Sequence, residues 1–441
     1  MSNPVPPGST TLDDFTDRYA ARTRGMTASE IRALFAVANR PEIVSLAGGM
    51  PNLAALPLND VAAILGDLVA KQGTAALQYC GAQGDAGLRE HICTVMALEG
   101  IDAHPDDIVI TVGAQEGLDL LARIFLDPGD VVLAEAPSYV GALGVFAAAE
   151  ARVLHVAMDG DGLHPDALQE KIDFCTRNGA VPKFLYTVPT FQNPAGVTQT
   201  VERRTELLAV AQRNRLLVIE DNPYGLLGFD GEPTPALRAY TDRGVIYLGS
   251  FSKTFAPGLR VGWVYAPPAV RSKLVLAAES QTLCPPTFSQ MAVRAYLENH
   301  DWQRQIKTYR EVYRERRDAM LETLDAVMPA GSSWTRPAGG FFVWATVPDG
   351  IDSKAMLPRA IHGRVAYVPG TGFFADGTGT RHMRLSFCFP EPDRIREGVR
   401  RLAGVLEEEL ELRSTFGPAG AAAPSPASPF GRGDAPSPET R

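Results

Sequence analysis

The chain has 441 residues, of which 45% are hydrophobic and 21% are charged, and its formal net charge is −9. This length and composition are typical of a globular protein with two or three domains. The negative charge argues against a general nucleic-acid-binding protein, which usually presents a basic surface. The longest apolar stretches, such as residues 140–149, fall well short of the roughly 18 residues of a membrane-spanning helix.

The N-terminal residues show no secretory signal, because no apolar core follows a basic start. The cysteines are odd in number and widely spaced, no CxxC motif occurs, and the histidines show no metal-ligand spacing. These features predict reduced thiols, a cytoplasmic location and no structural or catalytic metal.

Residues 27–38, TASEIRALFAVA, are predicted to form a helix that Thr27 or Ser29 can cap. Its apolar face is formed by Ile31, Leu34, Phe35 and Ala38. Arg32 lies beside that face. It is either a solvated surface residue in a weak ion pair or a group that reaches into a substrate pocket.

The middle of the chain alternates short apolar runs with helical segments. The runs DDIVITV, VVLAEAPSY, FLYTVPT, LLVIEDNPYG and VIYLGSFSK each end in polar residues or a turn, and segments such as GAQEGLDLLARIF and TVERRTELLAVAQRN lie between them. This alternation predicts an α/β fold with a mainly parallel sheet covered by helices on both faces. Ligands of such sheets collect beyond the carboxyl ends of the strands.

The pattern changes from about residue 300 to a long helix, the strand GGFFVWATV, and then a helix, a strand and a helix. The last helix, PDRIREGVRRLAGVLEEELEL, is amphipathic, and a tail rich in Pro, Ala, Gly and Ser follows it. We predict four regions: an N-terminal arm (1–60) that joins a smaller α+β domain, a large domain (61–298), the small domain itself (299–412), and a disordered tail (413–441).

Polar residues follow the predicted strands in turn. The turn VGAQEG opens a helix at Gly113, Ala114 and Gln115, where free N–H groups favour an anion, although most such turns bind nothing. Tyr139 follows the next strand and is either a packing residue or a ring that stacks on a planar ligand. Asn193 ends a third strand, where an ordinary Asn-Pro turn is the alternative.

Asp221 ends a fourth strand and should be partly buried, a costly position for a carboxylate without a cationic partner. It is either a helix cap or a ligand for such a partner, and Tyr224 can reach the same space. Lys253 closes a fifth strand, within the sequence GSFSKTFAPGLRVGW. A desolvated lysine near another cation becomes a nucleophile.

Two hydroxyls, those of Ser250 and Ser252, lie near this lysine in the sequence, and so does the planar guanidinium of Arg260. The paired donors of the guanidinium suit a phosphate. An amine, a carboxylate, a ring, a donor for a ring oxygen and several phosphate donors are together what pyridoxal phosphate requires. The sequence therefore predicts a pyridoxal phosphate site at the strand ends.

The motifs SLAGGMP, VGAQEGLDLL, NPAG, VIEDNPYG, SFSKTFAPGLRVGW, GGFFVW and MRLSF resemble those of the fold-type-I aminotransferases of class I/II. Among these enzymes the chain is most similar to the 2-aminoadipate and kynurenine aminotransferase branch. The resemblance extends from about Thr27 to Leu410. It implies a large sheet of the seven-stranded type, a homodimer with shared active sites, and an enzyme that moves the α-amino group of an L-amino acid to a 2-oxo acid.

The resemblance also implies roles for individual residues. Lys253 matches the Schiff-base lysine and general base, Asp221 the partner of the pyridine nitrogen, and Tyr139 the stacking ring. The donors to the ring oxygen are matched by Asn193 and Tyr224. The phosphate site is matched by Gly113, Ala114, Gln115, Ser250, Ser252 and Arg260, with Tyr79 contributed by the partner subunit.

For the substrate, Arg384 in MRLSF matches the arginine that binds the α-carboxylate, and Gly48 and Gly49 match a loop over the substrate. Arg32 is a candidate for the distal carboxylate of glutamate or 2-aminoadipate, and 2-oxoglutarate is the expected acceptor. Ala114 departs from the family pattern, because relatives often carry a hydroxyl there.

Three other functions remain open at the level of sequence. A different pyridoxal phosphate reaction, such as β-elimination, decarboxylation or an oxidase-like step, could use the same scaffold. A transcription regulator with an aminotransferase-like domain would carry a basic DNA-binding domain, whereas the short segment before SLAGGMP contains Asp13, Asp14 and Asp17. A pseudoenzyme is disfavoured by the intact lysine and aspartate.

Overall fold

The computed structural model describes residues 18–25 and 40–417. The predicted helix at 27–38, with Arg32, and nearly all of the predicted tail therefore lie outside the described residues. In the described part, no helix is both long and apolar enough to cross a membrane.

The strands of the described residues form three sheets. In chain order they are β1 (Val44–Ser45), β2 (Ile108–Val112), β3 (Val131–Ala136), β4 (Arg152–Asp159), β5 (Gly162–Leu163), β6 (Pro182–Thr187), β7 (Leu217–Asp221), β8 (Val245–Ser250), β9 (Val261–Tyr265), β10 (Ser333–Trp334), β11 (Phe342–Thr346), β12 (Val365–Ala366), β13 (Val368–Pro369) and β14 (His382–Ser386).

The helices cover these sheets. They are α1 (Leu58–Ala76), α2 (Ala86–Ala97), α3 (Gly113–Phe125), α4 (Val140–Ala148), α5 (Pro165–Arg177), α6 (Val201–Arg213), α7 (Pro268–Thr282), α8 (Thr287–Asn299), α9 (Trp302–Val327), α10 (Ser353–His362) and α11 (Pro392–Phe416). Short 3₁₀ turns include Ala21–Gly25 and Pro257–Leu259.

The largest sheet has the strand order β2-β9-β8-β7-β6-β3-β4-β5. Strands β4, β3, β6, β7 and β8 run parallel, whereas β9 is antiparallel to both of its neighbours. The predicted α/β fold with a mainly parallel sheet is confirmed. Within residues 40–417 this sheet has eight strands rather than the predicted seven, because the two-residue β5 pairs with the edge strand β4.

Helices pack against both faces of this sheet because its strands are apolar on both sides. In β7, Val218 packs in a cluster with Leu168 of α5 and Leu207 of α6. The next residue, Ile219, packs on the opposite face with Phe146 of α4. A parallel strand buried on both faces reads as a continuous apolar run, and polar side chains therefore concentrate at its carboxyl end.

The C-terminal part forms an antiparallel sheet of order β10-β11-β14-β13, and the N-terminal strand β1 pairs in parallel with β12. The long helix α9 packs against α11. Helix α11 buries the apolar face predicted from the sequence, namely Ile395, Val399, Leu402 and Leu406. It begins after Glu391 rather than at a side-chain cap from Asp393, and it continues to Phe416, beyond the predicted start of the tail at 413.

Candidate active site

A cavity of about 280 Å³ lies beyond the carboxyl ends of the central strands. Asp221 is the last residue of β7 and Ser250 the last of β8, while the loops after β3 and β6 add further side chains. Most residues predicted from the sequence line this cavity, namely Gly49, Ala114, Gln115, Tyr139, Asn193, Asp221, Tyr224, Ser250, Ser252, Lys253, Arg260 and Arg384.

The structure places four other predicted residues elsewhere or leaves them undescribed. Gly48 precedes the lining residues Gly49 and Met50 without lining the cavity itself. Gly113 lies behind Arg260 at the start of α3. Tyr79 is 76% exposed on the outer surface of this chain, and Arg32 is outside the described residues.

Donors gather at the end of the cavity nearest the start of α3. The Ser250 hydroxyl donates to Ser252 Oγ at 2.9 Å, and Arg260 Nη1 donates to the same Ser252 Oγ at 3.2 Å. The first N–H groups of α3, at Ala114 and Gln115, adjoin this group. Hydroxyls, a guanidinium and a helix N-terminus together form a site suited to a phosphate dianion.

Backbone geometry positions Arg260 in this group. Arg260 has a φ of 56°, in the left-handed region that non-glycine residues rarely adopt, and such strain is common at functional sites. Its Nη2 donates to Val112 O at 3.3 Å. Gly113, with a φ of 74°, leaves the room that the guanidinium occupies, because a Cβ there would overlap Arg260 Nη2.

We therefore expect Gly113→Ala to displace Arg260 and to weaken phosphate binding. A charged hydrogen bond contributes roughly 1.5–3 kcal/mol, so the dissociation constant of a phosphorylated cofactor should rise at least about tenfold. Equilibrium dialysis measures this constant.

Gly129→Ala is the matched control, because Gly129 also has a positive φ, of 87°, but has open space around its Cβ position. It should lose stability by about 1–2 kcal/mol, the cost of the left-handed conformation, and keep its cofactor affinity. Equal affinities for the two variants would show that Gly113 does not position Arg260.

Lys253 projects into the cavity from the turn after β8. Its Nζ donates to Gly49 O at 2.8 Å, and the side chain lies over the Phe341 ring at 5.7 Å. Burial lowers the pKa of the Lys253 ammonium to about 8, and the positive charges of Arg384 and Arg260 act in the same direction. A substantial fraction of this amine is therefore neutral, and nucleophilic, near physiological pH.

Asp221 faces the same cavity from the end of β7. Its Oδ2 accepts a hydrogen bond from the Tyr186 hydroxyl at 2.8 Å. Among the described residues, no donor reaches its buried Oδ1. Burial raises the pKa of the Asp221 carboxyl to about 6, and the bond from Tyr186 partly offsets this rise. A free carboxylate oxygen at this depth suits a cationic ligand group.

Arg384 lies on β14 and reaches the loops around the cavity. Nη1 donates to Asn193 Oδ1 at 2.9 Å and Nη2 donates to Ala47 O at 2.8 Å, while Nε is buried without a partner among the described residues. The guanidinium stacks over the Phe342 ring at 4.1 Å. Burial lowers its pKa to about 10, which leaves it charged.

Two tyrosines complete the wall. The Tyr139 hydroxyl donates to Gln115 Oε1 at 3.3 Å, and Gln115 Nε2 donates to Gly141 O, so the ring is tied to the start of α3. Tyr224 packs edge-on against Phe341 and Phe342. Burial raises the pKa of both tyrosine hydroxyls, which therefore stay protonated and able to donate.

Tyr186 and Phe342 were not among the site residues predicted from the sequence, although Tyr186 lies in the predicted strand FLYTVPT and Phe342 lies in the motif GGFFVW. Tyr186 is in the apolar run FLYTVPT, where a tyrosine reads as a core residue. Phe342 follows the double glycine of GGFFVW. The signal that could have found Tyr186 is the polar hydroxyl in a fully buried strand, because such a group requires a partner.

Comparison with known proteins agrees with this geometry. The family model described as "Aminotransferase class I and II" matches residues 41–402. An aromatic-amino-acid aminotransferase of Thermococcus litoralis is 42% identical over 90% of this chain and 96% of its own length. A 2-aminoadipate transaminase of Thermus thermophilus is 39% identical over 87% of this chain and 95% of its own.

Solved structures give the same result. A kynurenine aminotransferase of Pyrococcus horikoshii, in complex with PMP, superposes with a TM-score of 0.87 at 41% identity, over 91% of this chain and all of the other. The α-aminoadipate aminotransferase of Thermus thermophilus, complexed with N-(5'-phosphopyridoxyl)-L-leucine, gives a TM-score of 0.83 at 37% identity, over 90% of this chain and 99% of the other. The chain belongs to the class I and II aminotransferase family and is a fold-type-I aminotransferase.

Proposed function

We propose that this aminotransferase holds pyridoxal 5'-phosphate in the cavity and moves the α-amino group of an L-amino acid to a 2-oxo acid, with 2-oxoglutarate as one acceptor. The observation that carries the proposal is that a lysine amine, a free carboxylate oxygen and a phosphate-type donor group line one cavity. The neighbours solved with PMP and with a phosphopyridoxyl adduct support this cofactor.

The residues present fit the cofactor. Lys253 would hold its aldehyde carbon, and Asp221 Oδ1, which lacks a partner among the described residues, would accept from the ring nitrogen. Asn193 and Tyr224 would donate to the ring oxygen, and the Tyr139 ring would stack on it. The phosphate would be held by Ser250, Ser252, Arg260 and the start of α3, with Gly113 supplying the room for Arg260.

When bound, pyridoxal phosphate supplies an aldehyde that condenses with amines and an electron-poor ring that accepts the electrons of the substrate Cα–H bond. With the cofactor bound, the Lys253 amine would be placed beside the substrate Cα and would act as the general base that takes up and returns its proton. Its lowered pKa keeps the amine available for this transfer near neutral pH.

Arg384 orients the substrate. Its guanidinium is held by Asn193 and Ala47 and stacked on Phe342, which fixes the plane in which a carboxylate can bind. A carboxylate fixed at this point keeps the Cα–H bond in one orientation relative to Lys253, and such positioning accounts for much of enzymatic rate acceleration.

We expect Arg384→Lys to raise the KM for amino acids by roughly ten- to a hundredfold, because a lysine keeps the charge but loses the planar pair of donors. Cofactor affinity should change little. Steady-state kinetics with one good amino donor measure the effect. Arg381→Lys, at the surface just before β14, is the control. Unchanged substrate affinity in Arg384→Lys would exclude the role in carboxylate binding.

The reaction itself is tested by incubating the enzyme with a panel of L-amino acids and 2-oxoglutarate. Formation of the matching 2-oxo acid and of glutamate in equal amounts is the expected result. Release of ammonia or carbon dioxide without glutamate would instead indicate elimination or decarboxylation on the same scaffold.

We propose that two copies of the chain form a homodimer through the surface that contains Tyr79. This surface exposes large apolar side chains, because Leu77 is 75% exposed and Leu283 is 53% exposed. The segments that carry these two leucines lie side by side, since Cys80 Sγ is 3.5 Å from Pro285 O. Exposed apolar patches mark interaction sites. Light scattering should give twice the mass of one chain, and Leu77→Asp combined with Leu283→Asp should give a single chain.

The proposed dimer would bring Tyr79 of one copy to the phosphate site of the other.

We also propose that the enzyme is cytoplasmic, because all five of its cysteines are free thiols. The domain boundaries near residues 60 and 298 also stay predictions. The pairing of Val44 in β1 with Val365 in β12 supports the assignment of the N-terminal segment to the small domain.

A side-chain preference for dicarboxylic amino acids rests on Arg32. The cationic groups that line the described cavity are Lys253, Arg260 and Arg384, each of which already has a role in the proposal. A distal carboxylate would need one more cation, and we propose Arg32 for this contact. Kinetics of Arg32→Ala with glutamate and with an apolar amino acid separate this role from a surface position.

A further inference from the structure

We propose that Tyr186 is a positioning residue that fixes the orientation and the charge of Asp221 toward the cofactor. The proposal rests on the proposed use of pyridoxal phosphate and extends it to a residue that does not line the cavity. Its basis is one hydrogen bond, from the Tyr186 hydroxyl to Asp221 Oδ2 at 2.8 Å, beside a carboxylate oxygen that is otherwise free.

The sheet places this hydroxyl. Strands β6 and β7 are parallel neighbours, and Tyr186 pairs with Ile219 in their register. Side chains two residues apart on a strand share a face, so Ile219 and Asp221 lie on the same face as Tyr186. The Tyr186 ring is fully buried and packs edge-on against Phe146, with ring centroids 5.7 Å apart. The donor is therefore held rigidly.

This bond leaves Asp221 with one oxygen to offer. A carboxylate that is free to rotate could turn either oxygen, or neither, toward a ligand. Because Tyr186 occupies Oδ2, only Oδ1 can accept from the ring nitrogen of the cofactor. The hydroxyl thus selects one rotamer of the side chain before the cofactor arrives, which lowers the entropy cost of binding.

The same bond sets where a shared proton resides. A hydrogen bond to the charged form of a carboxyl group makes that group less basic. The bond from Tyr186 therefore opposes the rise in the pKa of Asp221 that burial causes. With the cofactor bound, a proton between Oδ1 and the ring nitrogen would stay on the nitrogen. A protonated ring nitrogen is what the chemistry of the cofactor requires, so the strand residue contributes to the reaction through Asp221.

Tyr186→Phe removes only the hydroxyl, and Tyr247→Phe is the matched control. Tyr247, on strand β8 of the same sheet, is equally buried and also donates its hydroxyl to a buried carboxylate, that of Glu99. Both variants lose the same kind of bond in the same sheet and should lose similar thermal stability. An effect confined to Tyr186→Phe is therefore an effect at the cofactor.

The readouts are the dissociation constant of pyridoxal phosphate and the ¹⁵N resonance of its labelled ring nitrogen as a function of pH. In Tyr186→Phe the dissociation constant should rise roughly ten- to a hundredfold, and the pH midpoint for loss of the ring proton should fall by roughly 1 to 2 units. In Tyr247→Phe neither should change. With the cofactor saturating, kcat should fall in Tyr186→Phe while the KM for the amino acid stays constant.

A second experiment tests whether Tyr186 acts through Asp221. In the background of Asp221→Asn, the further change Tyr186→Phe should have little additional effect on the dissociation constant, because the two groups act as one unit. Additive losses would contradict the proposal. If Tyr186→Phe does not fold, 3-fluorotyrosine placed at position 186 keeps the packing and strengthens the donor. The ring-nitrogen midpoint should then rise, and an unchanged midpoint would overturn the proposal.

These measurements distinguish a failure of cofactor binding from a failure of the role of Tyr186. If the unaltered enzyme binds no pyridoxal phosphate, the proposed function fails. If it binds the cofactor but Tyr186→Phe behaves like Tyr247→Phe, only the role of Tyr186 fails.

Discussion

Replacing Lys253 with alanine should reduce transamination by at least about a thousandfold. The change removes the only amine of the described cavity lining, and general base catalysis alone contributes a factor of about 10²–10⁴. Pyridoxal phosphate should still bind, because the hydroxyls of Ser250 and Ser252 and the guanidinium of Arg260 remain. Turnover of an amino donor, and exchange of its α-proton with deuterated water, are the two measurements.

Lys273→Ala is the control, because Lys273 is an exposed lysine on α7. It should keep full activity. The lowered pKa of Lys253 gives a further check: capture of the cofactor by the free enzyme needs the neutral amine, so its rate should rise with pH and level off above about 8. Retention of α-proton exchange in Lys253→Ala would assign the base to another group.

Replacing Asp221 with asparagine should lower kcat by roughly 10²–10³, since a preorganised charge contact of this kind contributes several kcal/mol. The amide is close in shape to the carboxylate, so the fold should be retained. Tyr186 would still donate to the amide oxygen, and this turns the amide N–H₂ toward the ring nitrogen. A donor at that point favours the unprotonated ring. Single-turnover kinetics of the amino-acid half-reaction measure the loss.

Glu220→Gln is the matched control for Asp221→Asn. Glu220 is the adjacent buried carboxylate of β7, but it faces away from the cavity and accepts from the N–H groups of Leu237 and Arg238. This variant should lose stability and keep its rate per folded molecule. Near-normal turnover in Asp221→Asn would reduce Asp221 to a structural carboxylate.

The ends of the central strands were predictable from the sequence, because the continuous apolar run of each strand differs clearly from the helical spacing of the segments between the strands. The helix predicted at GAQEGLDLLARIF coincides with α3, and the apolar run before Asp221 coincides with β7. In a parallel sheet the carboxyl ends of neighbouring strands meet at one edge. The positions of Asp221, Ser250 and Asn193 around one cavity follow from that rule alone.

Contacts across long sequence separations were not predictable in the same way. Arg384 donates to Asn193, which is 191 residues away, and the resemblance to a family was needed to connect them. The bond from Tyr186 to Asp221 depends on the register between β6 and β7, and no local pattern fixes that register. The stacking of Phe342 on Arg384 likewise depends on how the small sheet packs over the cavity.

The most direct measurement is reduction of the purified, cofactor-loaded enzyme with borohydride, followed by tryptic digestion and mass spectrometry. Reduction should bleach the visible absorbance and fix one phosphopyridoxyl group to Lys253. Since trypsin does not cleave after the modified lysine, the group should appear on the peptide that spans residues 244–260. A phosphopyridoxyl group on a different lysine, or none on this peptide, would contradict the assignment of Lys253 as the residue that carries the cofactor.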